Sequence, residues 1–116
     1  MKPIKVYVAG PMGIFDKGRP KRIHNGIVAG EKLRRAGLYP FVPHLDDIWG
    51  RKFEHSYECW MRYDKVWLEL CDALLRIPGK SPGADREVVT AYALGIPVFH
   101  SVNEVIRWAD AQNTGV

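Results

Sequence analysis

Cysteine is scarce in this chain: two of its 116 residues, Cys59 and Cys71, carry a thiol. Two thiols cannot build a disulfide framework, and their spacing is not that of a metal-binding pair. A reducing, cytoplasmic setting is therefore the expectation. No apolar run approaches the roughly 20 residues that a membrane-spanning helix needs, so no membrane partner is expected. The stretch Met1 to Gly10 is too short for a signal peptide, and no cleavage pattern follows it. No G-x-G-x-x-G follows the first apolar segment, which excludes a dinucleotide fingerprint. His24, His44, His55 and His100 lack ligand spacing, and a zinc site built from His44, His55 and Cys59 is the weakest of the candidate sites; neither metal nor cofactor is expected. Long runs of one charge are missing too. Seventeen Lys and Arg against 13 Asp and Glu give +4 and a pI near 9.2. The cations sit in scattered pairs such as Lys21-Arg22, Arg34-Arg35 and Arg51-Lys52. Such a surface suits a small anionic ligand, but no basic and aromatic array marks a nucleic-acid-binding face.

What remains is the balance of a soluble folded protein, 47% hydrophobic and 26% charged, of a size for one domain spanning 1–116. No repeat or linker divides it. Ile4 to Ala9 is a β-branched and aromatic run ended by Gly10-Pro11, which reads as a first strand and a tight turn. The loop Met12 to Arg19 holds two glycines and reads as mobile. Pro20 then opens a helix whose face is carried by Ile23, Ile27, Gly30 and Leu33 and whose stop is Gly37. Gly26 and Gly30 would let that helix approach a sheet closely. Tyr39 to Val42 is a second strand, and His44 to Ser56 reads as a loop.

The most regular segment is Tyr57 to Cys71, where Tyr57, Trp60, Met61, Asp64, Trp67, Leu68 and Cys71 recur at helical spacing. Trp60, Trp67, Cys59 and Cys71 read as core residues of this helix; Trp49, Phe53 and Trp60 are also candidates to stack on a base. Ala73 to Ile77 is a third strand. Ser81-Pro82-Gly83 starts a helix whose buried face is Ala84, Val88, Ala91 and Tyr92 and whose cap is Gly95. Pro97 to Phe99 is a fourth strand, and a last helix runs from about Asn103 to Ala111. Strand and helix alternate, so the fold class is α/β: a Rossmann-like or flavodoxin-like parallel sheet of four to five strands with helices on both faces. Ligands bind such sheets beyond the carboxyl ends of the strands, where Gly10 to Arg19, Pro43 to Ser56, Pro78 to Gly83 and His100 to Asn103 lie.

Two acidic residues break this pattern. Asp64 occupies the centre of an apolar stripe, where a carboxylate without a partner is costly to desolvate. It is either an edge residue paired with a cation or an acid bordering a cavity. Glu87 lies about one turn into the helix that follows the third strand, where the positive end of the dipole favours its ionised form. It is either dipole compensation, as neighbouring Asp85 is, or a carboxylate aimed into a cleft, of the kind that acts as nucleophile in glycosyl transfer. Ser81 and Gly83 serve equally as a helix cap or as a seat for a phosphate or hydroxyl.

Taken together, Y-V-A-G-P-M at Tyr7 to Met12, Asp64 with Asp72, and S-P-G-A-D-R-E-V-V-T-A-Y-A-L-G-I-P-V at Ser81 to Val98 resemble the nucleoside 2-deoxyribosyltransferase-like superfamily. The branch nearest in pattern is that of small bacterial and phage-type proteins beside the 2'-deoxynucleoside 5'-phosphate N-hydrolases. The resemblance covers nearly the whole chain. It implies cleavage of the bond between a nucleobase and its sugar, without metal or cofactor. By position it makes Glu87 the nucleophile, Asp64 the carboxylate that contacts or protonates the base, and Tyr7 the residue that orients the nucleophile. Gly10, Pro11, Met12, His44, Ser81 and Gly83 become substrate-binding residues. Ser81 stands where the nucleotide hydrolases hold a phosphate, which with the positive charge points to a nucleoside 5'-monophosphate. The segment Gly13 to Arg19 departs from the pattern, lacking the small-residue phosphate-binding run of those hydrolases. The resemblance also implies a homodimer or higher homo-oligomer whose neighbouring subunit completes the pocket, with Ser101, Asn103 and the residues after Trp108 as contributors. A non-catalytic module binding a nucleotide or an ADP-ribose-like ligand is the alternative.

Overall fold

The computed structural model describes residues 2–114. Four short strands form one parallel sheet in the order β2-β1-β3-β4, namely β1 (Lys5–Ala9), β2 (Tyr39–Phe41), β3 (Ala73–Arg76) and β4 (Val98–Phe99). Val6 pairs with Ala73 and Ala9 with Arg76, so β1 and β3 run side by side to their carboxyl ends. Both are buried along most of their length, as the near-continuous apolar runs V-Y-V-A and A-L-L require of central parallel strands. The α/β expectation holds, with four strands. No helix among the described residues is long and apolar enough to cross a membrane.

Helices cover both faces. Between β1 and β2 runs α1 (Arg19–Arg35), which shares one face with α5 (Val102–Thr114) over a core of Val6, Val8, Leu33, Leu75 and Val105. The other face carries α3 (Tyr57–Leu68) and α4 (Pro82–Ala93) over Tyr7, Ala9, Leu68, Leu74 and Ala91. From β1 the chain moves outward to β2 on one side and later to β3 on the other. The reversal leaves a crevice beyond the paired ends of β1 and β3, the position at which sheets of this order take ligands.

Several expected details differ. The segment His44 to Ser56 is not all loop: a 3-10 turn (Pro43–Leu45) leads into α2 (Asp46–Lys52). Its first turn carries Asp46 and Asp47 and its last Arg51 and Lys52, the arrangement that complements a helix dipole. On α1 the buried stripe is Gly26, Ala29, Gly30 and Leu33, while Ile27 is exposed and Ile23 half-buried. Small residues win that face because the helix lies so close to the sheet. A Cβ at Gly26 would run into the His44 ring, and one at Gly30 would come within 2.6 Å of Val42 Cγ2. Tyr92 is exposed rather than core. Trp67 keeps 40% of its surface exposed, and Trp60 is half-buried in an aromatic cluster with Trp49, Tyr63 and His55. Cys71 is buried and Cys59 half-buried. The loop after β1 is tied down by two arginines of α1. Arg22 donates to the Met12 carbonyl at 2.7 Å and to Asp16 at 2.7 Å. Arg19, itself buried, pairs with Asp47 of α2 at 2.8 Å and lies over the Phe15 ring.

The close approach of α1 carries a test. Gly26→Ala gains up to about 1 kcal/mol of helix propensity but overpacks the His44 ring, which costs typically 1–3 kcal/mol. Urea denaturation is expected to show a lower midpoint with an unchanged m-value; a raised midpoint would mean the ring moves aside freely.

Candidate active site

The third residue of β1 points its side chain at the α3–α4 face. Tyr7 is fully buried, stacked at 5.5 Å on Phe41 of β2, which stacks in turn on Trp67 of α3. Its hydroxyl donates to Glu87 Oε2. Glu87 reaches this position because Ser81 starts α4 immediately beyond β3. The Ser81 side chain accepts the Ala84 N–H at 3.1 Å, and the carboxylate follows in the second turn, half-buried and facing the sheet.

Burial pushes the Glu87 carboxyl up to about 7, helped by repulsion from Asp46; the Tyr7 hydroxyl and the cations Arg76 and Arg86 oppose the rise. The dipole of α4 is thus outweighed by desolvation. Burial, and then the anionic Glu87 beside it, push the Tyr7 hydroxyl far above the usual phenol range, so it stays a donor. A donor to a charged group is worth about 1.5–3 kcal/mol, or roughly one to two pKa units. Tyr7→Phe is accordingly expected to raise the Glu87 pKa by that much again, read from the side-chain carboxyl signal in a carbon-13 NMR titration. An unmoved signal would show that the hydroxyl does not hold the charged form.

Asp64 lies on the buried side of α3 at 6% exposure, with no Lys or Arg against it among the described residues. Its neighbour is another carboxyl. Asp46, at the start of α2, stands where its carboxyl and that of Asp64 act on each other and can share a proton. Asp64 Oδ1 and Asp46 Oδ2 are both buried, and neither meets an N–H or hydroxyl donor among the described residues. Burial, the bond to Asp46 and repulsion from Asp46 and Glu87 push the Asp64 carboxyl up to about 9. Desolvation raises Asp46 as well, while the bond from Asp64 holds it down. Burial thus favours the proton on Asp64, the more deeply buried member, over Asp46.

β1, α2, α3 and α4 thus bring together one ionisable carboxylate with a fixed donor and one carboxylic acid. This is a division of labour between two acids by environment, and perturbed carboxyls of this kind concentrate at functional sites. A cleft of about 200 Å³ opens between α3 and α4, with Glu87 in its lining beside Arg62, Lys65 and Arg86.

The candidate binding residues Gly10, Pro11, Met12, His44, Ser81 and Gly83 lie beyond the carboxyl ends of β1, β2 and β3, and Asp72 does not. Gly10 and Pro11 end β1, and Pro11 packs on Gly79 of the loop after β3, so the two strand-end loops touch. Met12 follows, half-buried. Gly83 lies beneath the Tyr57 hydroxyl, which would be 2.9 Å from a Cβ there. His44 is enclosed against Gly10 and Gly26, 2% exposed, and burial lowers its pKa, keeping it neutral. Asp72 is the exception: it accepts the Lys5 N–H at 2.8 Å at the opposite end of the sheet. Asp46 is the residue that sequence reasoning missed. The signal was its place in D-D-I-W-G-R-K, acidic at one end and basic at the other, which reads as a short helix.

No protein-family model matches the chain, and none of the curated proteins does. Solved structures do. A 2-deoxyribosyltransferase from the psychrotolerant bacterium Bacillus psychrosaccharolyticus is similar with a TM-score of 0.63 and 25% identity, over 81% of this chain and 69% of that one. A conserved protein from Enterococcus faecalis V583 is similar with a TM-score of 0.65 and 20% identity, over 97% and 76% of the two chains, and speaks for the fold alone. The resemblance to the nucleoside 2-deoxyribosyltransferase-like superfamily read from Tyr7 to Met12 and Ser81 to Val98 is supported by the first of these.

Proposed function

We propose that this protein is an N-glycosidase or deoxyribosyltransferase, breaking the bond between a nucleobase and its sugar through a covalent ester on Glu87. The convergence of Tyr7, Glu87 and a protonated Asp64 in one buried cluster carries the reading. Glu87 attacks the anomeric carbon as the C–N bond breaks. The bonding pair goes to the base nitrogen, which takes the proton from Asp64. Water or a second base then attacks the same carbon, Glu87 leaves as carboxylate, and Asp64 recovers a proton from the attacking group. The structural likeness to a 2-deoxyribosyltransferase favours this chemistry over binding without turnover.

A nucleoside 5'-monophosphate is the preferred substrate. Arg62 and Lys65 beside Glu87 favour an anion, as does the start of α4 at Ser81 and Gly83. A volume of about 200 Å³ is below the roughly 300–1,000 Å³ of small-molecule sites. That shortfall supports a homodimer or higher homo-oligomer in which a second subunit closes the pocket. The setting is cytoplasmic in this reading.

The test is a base-release assay across the common ribo- and deoxyribonucleosides and their 5'-monophosphates, with and without a second free base. Free base from monophosphates in water supports the hydrolase, and product only with added base supports the transferase. Calorimetric binding with no free base from any of them would favour the binding module.

A further inference from the structure

We propose that Asp46, the first residue of α2, is the positioning residue that keeps the proton on Asp64. The inference rests on the reading of Asp64 as the acid that protonates the leaving base, and it assigns a role to a residue outside the motifs that suggested that reading.

The geometry carries it. Asp64 is buried on α3 and has no cation and no backbone N–H on its carboxyl among the described residues. The groups facing it are Tyr7 from β1, Asp46 from α2 and Glu87 from α4, all acidic or neutral. The nearby cations are engaged elsewhere: Arg76 with Asp85 at 3.0 Å, and Arg86 with Glu58 at 2.7 Å. Two adjacent carboxyls, each with a buried oxygen that meets no donor, cannot both ionise cheaply, so the pair holds one proton. Asp46 fixes that proton twice over, as the acceptor of the Asp64 O–H and as a negative charge that disfavours a second one beside it. An acid tuned toward the working pH transfers its proton best, and Asp64 at about 9 is tuned so. Without Asp46, Asp64 would ionise at lower pH, with burial and the Glu87 charge alone left to hold its proton.

The experiment is a carbon-13 NMR titration of protein labelled at aspartate carboxyls, with Asp64 assigned from D64N, in the wild type, D46N and D46A. The wild-type Asp64 signal is expected to titrate several units above the ordinary carboxylate range. In D46N it should fall by two units or more, since the Asn amide donates to Asp64 and favours its ionised form; D46A should shift it in the same direction. Circular dichroism checks that each variant is folded, and the wild-type titration stands by itself if one is not. An Asp64 signal titrating near 4 in the wild type, or staying high in folded D46N, overturns the inference. Base release is scored separately: D46N should lose about 10-fold or more at pH 8 but less than about 2-fold at pH 6. A shifted Asp64 signal in a protein that frees no base from any nucleotide supports the shared proton while removing the glycosidase reading.

Discussion

Glu87→Gln is expected to abolish base release and at the same time make the protein more stable at pH 8. The first effect follows from chemistry: an amide cannot form the ester, and removing a nucleophile costs at least about 10³-fold. The second follows from the environment. In the folded chain burial raises the Glu87 carboxyl to about 7 from an ordinary value of 4.5. A raised carboxyl binds its proton more tightly when folded, so ionising it costs stability. The cost is absent below about pH 4.5, grows through the interval, and is complete above about 7. At pH 8 it amounts to roughly 3–3.5 kcal/mol, by the conversion of about 1.4 kcal/mol per unit. Glutamine keeps an oxygen for the Tyr7 hydroxyl and carries no charge to desolvate, so Tm should rise by roughly 10–15 °C at pH 8. The gain should vanish at pH 4.5. Liquid chromatography of the released base and thermal melts at the two pH values give both readings. Retained activity would remove Glu87 from the mechanism, and a variant less stable at pH 8 would show that the charge is structural.

The sequence carried the sheet more faithfully than the helices around it. Central parallel strands are buried on both faces, so V-Y-V-A and A-L-L announce themselves as apolar runs whatever covers them. The start of α4 was legible because Ser81-Pro82 is a strong local signal and its geometry is fixed within one turn. Helix faces were harder. On α1, apolar spacing selected Ile23 and Ile27, but the packing distance selected Gly26, Ala29 and Gly30, and no pattern of hydrophobicity registers an absent side chain. Trp67 and Tyr92 fitted the stripes and yet lie exposed. Asp64 and Glu87 were visible as acids out of place, whereas the pairing of Tyr7 with Glu87 came from the family resemblance and not from spacing. Asp46 stayed hidden because seven residues are too few for a helical period to show, and its partner is 18 positions away on another element.

The pH dependence of turnover joins the two acids and divides them. In the proposed reaction Glu87 has to be ionised to attack, which its carboxyl at about 7 allows, and Asp64 has to be protonated to release the base, which holds up to about 9. The profile of kcat/KM is therefore expected to be a bell with its top near pH 8, rising on the acid side with Glu87 and falling on the alkaline side with Asp64. The limbs belong to the coupled cluster, since Asp46 and Glu87 both act on Asp64. Asp64→Asn should lower kcat/KM by about 10²–10⁴-fold at pH 8, the usual range for a lost proton donor. What remains should show no alkaline limb, because the group that caused it is gone. The leaving base supplies the control. A purine nucleotide methylated at N7 already carries the positive charge that protonation would create, and its base departs without needing Asp64. On that substrate the Asp64→Asn loss should shrink below about 10-fold. An equal loss on both substrates would mean that Asp64 holds the base in place and does not protonate it, because binding is indifferent to how readily the base leaves and proton donation is not.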